Sequence, residues 1–243
     1  MQVKLANHCF TLNPLWSGLT LTAFVILINL SLWQLNRAEE KTQQLARLAV
    51  LQTAGALSPS QLETINSADR DGIPVQGSVR WLAPAIWLLD NQIVDGRVGY
   101  DVIIPVQADG LAQPLLVNLG WLAATAQRDE FPQLTIRPEF TLSALLRTKV
   151  DGLMLLGQNA EQTGSWPMRI QQVNYEELSA MSHLSLYPAL LYQQNNTDFI
   201  PHYKPVVLLP EKHRGYALQW FLLAVVVLGV ALAASHQGKA KHE

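Results

Sequence analysis

Apolar residues crowd the two ends of the chain and alternate with polar ones in between. Leu15 to Leu35 carries no charge between Lys4 and Arg37, and Gly215 to Ser235 holds Gln219 as its only strongly polar residue. Each run is about 20 residues long, which at 1.5 Å per residue spans a hydrocarbon core of about 30 Å. Trp16 and Trp33 fall about 25 Å apart on such a helix, the separation of two interfacial aromatic belts. The first run is longer than the apolar part of a signal peptide. It is followed by Gln34-Leu35-Asn36-Arg37-Ala38-Glu39 and not by a small-residue cleavage site, so it reads as an uncleaved anchor. The pattern predicts a hairpin across a membrane. A tail covers residues 1–14, a transmembrane helix 15–35, a domain on the far side 36–214, a second transmembrane helix 215–235 and a second tail 236–243.

Between the anchors the periodicity changes twice. Arg37 to about Gln52 continues from the first span as a polar helix rich in Glu, Gln, Lys, Leu and Ala, and breaks at Thr53-Ala54-Gly55. Ser58-Pro59-Ser60-Gln61 offers an N-cap, a first-turn proline and a Gln at the third position, the start of a short helix ending near Asn66. From Ile73 onward come short β-like runs: Val75 to Trp81, Ala85 to Leu89, Tyr100 to Gln107, Leu115 to Trp121, Leu134 to Leu146, Met168 to Val173 and Ala189 to Gln193. Asp109-Gly110 and Asp151-Gly152 read as tight turns. Asn174-Tyr175-Glu176-Glu177 reads as a capped helix start running through Met181. Many strands and few helices predict an α+β fold, with two terminal transmembrane helices flanking a β-rich, largely antiparallel domain.

Charge and composition exclude more than they assign. A net charge of −2 over 243 residues gives no basic surplus for nucleic acid. The single cysteine, Cys9, rules out an intrachain disulfide and a thiolate metal cluster. Arg37, Lys41 and Arg47 after one span and Lys204, Lys212 and Arg214 before the other would hold the domain in the cytoplasm by a positive-inside count. Long loops escape that rule, so charge leaves sidedness open.

No nucleophile elbow, phosphate loop or paired-histidine zinc motif occurs, so the chain does not read as an enzyme. His236 and His242 lie in a tail with no acidic scaffold, and Asp198 and Glu211 read as solvated loop charges. The signal lies where the spans meet the domain. Trp33, Arg37 and Lys41 share one helical face at i, i+4, i+8, and His213, Tyr216 and Trp220 share another at i, i+3, i+7. If the helices pack, both faces meet at one membrane interface. A histidine, cations and aromatic rings at one depth suit a planar amphipathic ligand with a metal centre and carboxylates. By residue physics alone the favoured reading is a belt of snorkelling cations and interfacial aromatics with a solvated histidine.

At these residues the sequence resembles the surfeit-locus cytochrome c oxidase assembly factors, the Surf-one proteins, particularly their bacterial members. Three blocks in order carry the resemblance over nearly the whole chain. They are Trp33-Gln34-Leu35-Asn36-Arg37 leaving the first span, Gly99-Tyr100 through Pro105 with Leu116-Val117-Asn118-Leu119-Gly120-Trp121, and His213-Arg214-Gly215-Tyr216-Ala217 with Trp220-Phe221 entering the second. The chain departs from the family pattern at Leu119, usually Arg, at Ser31, usually Gly, and at Glu211-Lys212, commonly Asn-Asn. The resemblance implies a multi-pass protein of the bacterial inner membrane with an extracytoplasmic, periplasmic domain. It also implies a role in maturing haem-copper oxidases, in which haem a is delivered to or retained in the catalytic subunit. His213 matches the family's proposed axial ligand to haem iron, and Trp33 and Arg37 match its residues at the first span, with Tyr216 and Trp220 completing the expected haem-binding set. Cytochrome c oxidase subunit I, haem A synthase and membrane lipid are the expected partners. The alternative is a membrane-tethered scaffold that binds oxidase subunits through its domain, with His213 structural.

Overall fold

The computed structural model describes residues 2–5, 8–11, 13–64, 71–127, 130–147, 158–160, 165–195, 198–205 and 207–239. In chain order the elements are β1 (Gln2–Leu5), β2 (His8–Thr11), α1 (Pro14–Thr53), a 3₁₀ turn (Pro59–Thr64), β3 (Pro74–Trp81), β4 (Trp87–Val94), β5 (Arg97–Ala108), β6 (Leu115–Ala123), β7 (Glu139–Arg147), β8 (Met168–Ile170), α2 (Tyr175–Ser182), β9 (Leu190–Gln193), α3 (Pro210–Ser235) and β10 (His236–Lys239). They fall into two compact units, residues 1–47 with 206–243, and residues 48–205.

The first unit is a helical hairpin. From Leu19 to Ala54 the sequence has no Gly or Pro, so nothing interrupts α1, which runs 40 residues as one helix of about 60 Å. It stops just before Gly55, whose φ of +89° no helix continues through. Polar side chains in its apolar half bond within the helix: Thr20 Oγ1 donates to Trp16 O and Asn29 Nδ2 to Val25 O. Pro210 opens α3 at its first turn, where a missing N–H costs nothing. Both helices are long and apolar enough to cross a membrane.

Mostly small residues form the seam between them. Ser31 and Ala38 of α1 and His213, Ala217 and Ala224 of α3 are buried, and Ser31 Oγ donates to Ala217 O at 2.9 Å. Such residues let helix backbones approach closely. The hairpin returns the end of α3 to the start of α1, where β10 pairs antiparallel with β2, and β2 with β1. Within the expected tail 236–243, residues 236–239 are therefore a strand. His242 lies outside the described residues.

The second unit is a closed barrel. β5 is 12 residues long and divides one edge between two partners: residues 97–103 pair with β4, while residues 106–108 pair with β3. Pro105, which has no N–H to give a ladder, stands at the changeover. The ring β3-β7-β9-β6-β5 thus returns to β3, with β4 and β8 extending from β5. Among the described strands every pairing is antiparallel except β6 with β9 and β4 with β8, so the sheet is largely antiparallel, as expected. Val102, Ile104 and Val106 alternate inward with Leu115, Val117 and Leu142 to fill the barrel. The opposite faces of the same strands, Ile103, Leu116 and Leu190, pack with Trp87 and Leu178 of α2 in a second cluster. β5 and β6 are buried on both faces, which is why they read as nearly continuous apolar runs.

Several boundaries differ from the sequence pattern. β4 and β5 reach further than expected because Asp95-Gly96, with φ of 50° and 74°, closes a two-residue hairpin between Val94 and Arg97. This tight turn was not among those expected. Of the two that were, Asp109-Gly110 is a turn and Asp151-Gly152 lies outside the described residues. β7 begins at Glu139 and not at Leu134, since Pro132 and Pro138 deny a ladder the donors it needs. β8 ends at Ile170, ahead of the cap of α2. Asn174 does cap that helix, its Oδ1 accepting from Glu176 N and Glu177 N. Ser58 and Gln61 do form the expected cap, with Ser58 N donating to Gln61 Oε1 at 2.9 Å. The element they open is a 3₁₀ turn and not an α-helix, and its expected end near Asn66 lies outside the described residues.

Candidate functional site

The hairpin unit holds the expected site residues of both helices. His213 is buried in the seam, and its Nδ1 lies 2.8 Å from Gln34 Oε1. An amide oxygen only accepts, so this contact calls for a proton on Nδ1, which in the neutral ring makes Nε2 the acceptor. Nε2 is buried and has no hydrogen-bond partner among the described residues. An acceptor left in that state costs about 1–3 kcal/mol relative to one that is paired.

The other expected site residues divide between two places. Trp33 and Arg37 are brought together, with the guanidinium 5.8 Å from the indole centroid. Arg37 also meets Glu40 at 2.7 Å, both about half exposed, a surface pair worth less than about 1 kcal/mol. Tyr216 is exposed and Trp220 half-buried. Neither makes a hydrogen bond or ring contact with the other three among the described residues. Gln34 stands in the first sequence block without an expected role. The signal that identifies it is the spacing Ser31, Gln34, Ala38, a polar and small-residue stripe at i, i+3, i+7 on an otherwise bulky helix.

Among the described residues no group of three His, Cys, Asp or Glu could hold a metal ion. A metal held by His213 would draw its other ligands from outside such a cluster, as the iron of a porphyrin does. The Nδ1–H···O=C bond is the outer contact that commonly fixes a ligating imidazole. The tautomer thus fits an axial ligand. Access does not yet fit, because Nε2 is covered and the ring must swing or the helices part before anything reaches it.

The barrel unit holds a second polar cluster. Asp101 is 2% exposed; its Oδ2 accepts from Asn118 Nδ2 at 2.6 Å, and its Oδ1 lies 2.6 Å from His202 Nε2. The bond to this carboxylate raises the pKa of His202 above its ordinary value, against the opposing effect of burial. Asn118 Oδ1 accepts from Gly120 N. Gly120, at φ +124°, leaves room for the backbone of Ile200, which exchanges two hydrogen bonds with Trp121. Gly99 lies against the Trp121 ring, whose Nε1 donates to Gln92 O. The two halves of the middle sequence block therefore interlock, and they place the return segment onto β6. Next to it, Tyr203 stacks on Tyr192 at 4.0 Å, with Arg147 5.8 Å from the Tyr203 ring. Burial pushes the Tyr192 hydroxyl up to about 12. These groups fasten the fold and assemble no nucleophile with a base. Asp198 and Glu211 are both exposed, as expected of solvated charges.

A family model described as the SURF1 family matches residues 21–225, from within the first apolar helix to within the second. Comparison with curated proteins finds no match.

Proposed function

The chain belongs to the SURF1 family, which is associated with cytochrome oxidase assembly, and from that premise we propose that it is a membrane-anchored assembly factor that binds haem a and helps deliver it to, or retain it in, the catalytic subunit. The observation that carries this reading is His213, whose Nδ1 is tied to Gln34 while Nε2 is left buried and unpartnered. His213 is the axial ligand, Trp33, Tyr216 and Trp220 offer rings beside the macrocycle, and Arg37 takes a propionate. Haem a supplies the iron and its four ring nitrogens; the protein supplies one imidazole, a water-poor seam and a cation at the interface. Subunit I of the oxidase and haem A synthase are the partners such a handover needs. The domain lies on the periplasmic side of a bacterial inner membrane.

Purification in mild detergent from cells that make haem a tests this. The wild type should carry a Soret band through gel filtration, and His213→Ala should lose or strongly shift it at unchanged abundance. An unchanged spectrum in His213→Ala overturns the reading. A second reading is favoured by the covered Nε2: a scaffold in which His213 is a strut between the helices and oxidase subunits bind the barrel. It takes the lead if no haem accompanies the wild type.

A further inference from the structure

The helix pair is hollowed on one side into a groove of about 410 Å³, walled by Ile28, Leu32 and Leu35 of α1 and by Leu218 and Phe221 of α3, with Arg214 at one end. Its floor is where Ser31 meets Ala217. The Ser31 hydroxyl gives its one hydrogen to the Ala217 carbonyl, so at this point the floor offers a ligand no donor. Leu35 to Ile28 and Arg214 to Phe221 are each two helical turns, which makes the groove about 10 Å long. Its single charge sits at the end where the apolar run of α3 begins. Arg214 is exposed, and its one side-chain contact among the described residues is Thr42 Oγ1 at 3.5 Å. It has no carboxylate partner among them.

A lipid-facing trough with one uncompensated guanidinium at its water end matches an amphiphile that carries an anionic head. We propose that this groove binds one anionic phospholipid, with its phosphate on Arg214 and an acyl chain lying between Leu32 and Leu218 toward Phe221. The proposal rests on α1 and α3 spanning the membrane and not on haem binding.

The test uses the full chain in detergent, stripped of lipid and titrated with phosphatidylglycerol or phosphatidylcholine of matched chains, with bound lipid read by native mass spectrometry. Wild type should hold phosphatidylglycerol about fivefold more tightly, the worth of one interfacial cation. Arg214→Gln should erase that preference by weakening phosphatidylglycerol more than phosphatidylcholine, whose choline already offsets its phosphate. Leu218→Trp, which fills the trough, should weaken both, and Leu32→Trp fills it from α1 should the first variant lose helical circular dichroism. Equal retention of the two lipids by wild type overturns the proposal, as does a preference that survives Arg214→Gln. A dimer mass that Leu218→Trp abolishes would assign the groove to a second copy of the chain instead.

Discussion

Gln34→Leu tests the geometry around His213 without needing any ligand. The wild-type bond is 2.8 Å long and lies in the seam between two helices. A neutral buried hydrogen bond contributes about 0.5–1.5 kcal/mol, and in transmembrane helices the average is nearer 0.6. That is a small fraction of the stability of a hairpin also held by Ser31, Ala38 and Ala217, so the variant should fold and insert. The same energy is large for a tautomer: about 1 kcal/mol biases Nδ1–H over Nε2–H roughly fivefold, and Leu offers no acceptor to sustain the bias. Imidazole ¹⁵N spectra of histidine-labelled protein in nanodiscs, at a pH where His213 is neutral, should show protonated Nδ1 in the wild type. Gln34→Leu should lose that dominance. If haem is bound, the substitution should also weaken its retention by about 10- to 100-fold, the usual cost of losing the group that orients a ligating histidine. A wild type protonated at Nε2, or a variant with an unchanged spectrum, refutes the role given to Gln34 even if His213→Ala still loses haem.

Further outcomes bear on the barrel and the topology. Trp121 is 3% exposed on a strand flanked on both sides, so Trp121→Ala should cost about 3–5 kcal/mol and show as poor accumulation and protease sensitivity; normal levels would contradict its burial. A side chain at Gly120 would meet the Ile200 backbone at 2.9 Å, so Gly120→Ala should lower the melting temperature of the full chain, and an unchanged value would mean the return segment does not lie there. The raised pKa of His202 means its pair with Asp101 contributes fully below about pH 6.5 and fades as pH climbs through the raised value. As pH rises above about 6.5, melting temperature should therefore fall more steeply in wild type than in His202→Asn, and parallel profiles would remove the pair from the account. A reporter active only after export should work when fused near Gly110 and fail when fused after Lys241; the reverse would place the domain in the cytoplasm.

What the sequence made legible tracks the periods it carries. The two helices are visible because a long apolar run has one stable solution in lipid, and β5 and β6 because strands buried on both faces leave unbroken Val, Ile and Leu. Asn174 was readable because a cap is a local match between one side chain and two nearby N–H groups. Closure of the barrel was not readable, since it depends on β5 changing partners at Pro105, a tertiary event without a local pattern. The site divides the same way. His213 stands out as the histidine beside a span, but its partner lies 179 positions away. The face that Trp33, Arg37 and Lys41 share was the conspicuous one, yet the seam chose Ser31, Gln34 and Ala38, because small side chains and not large ones decide where helices touch.

The place of β9 in the ring has a consequence for biogenesis. This strand of four residues, Leu190–Gln193, is the wedge between β6 and β7, bonded to strands that precede it by dozens of residues. Until it emerges from the ribosome, β6 and β7 each present a bare hydrogen-bonding edge and the apolar interior stays open along one side. Closure therefore waits for nearly the whole domain, a late, non-local step of the kind that slows folding. A chain interrupted before residue 190 is left with two exposed edges, the form of β-sheet most prone to pair with a neighbour. Quality control that clears such fragments should recognise everything up to α2 as unfinished, however well the first anchor has inserted.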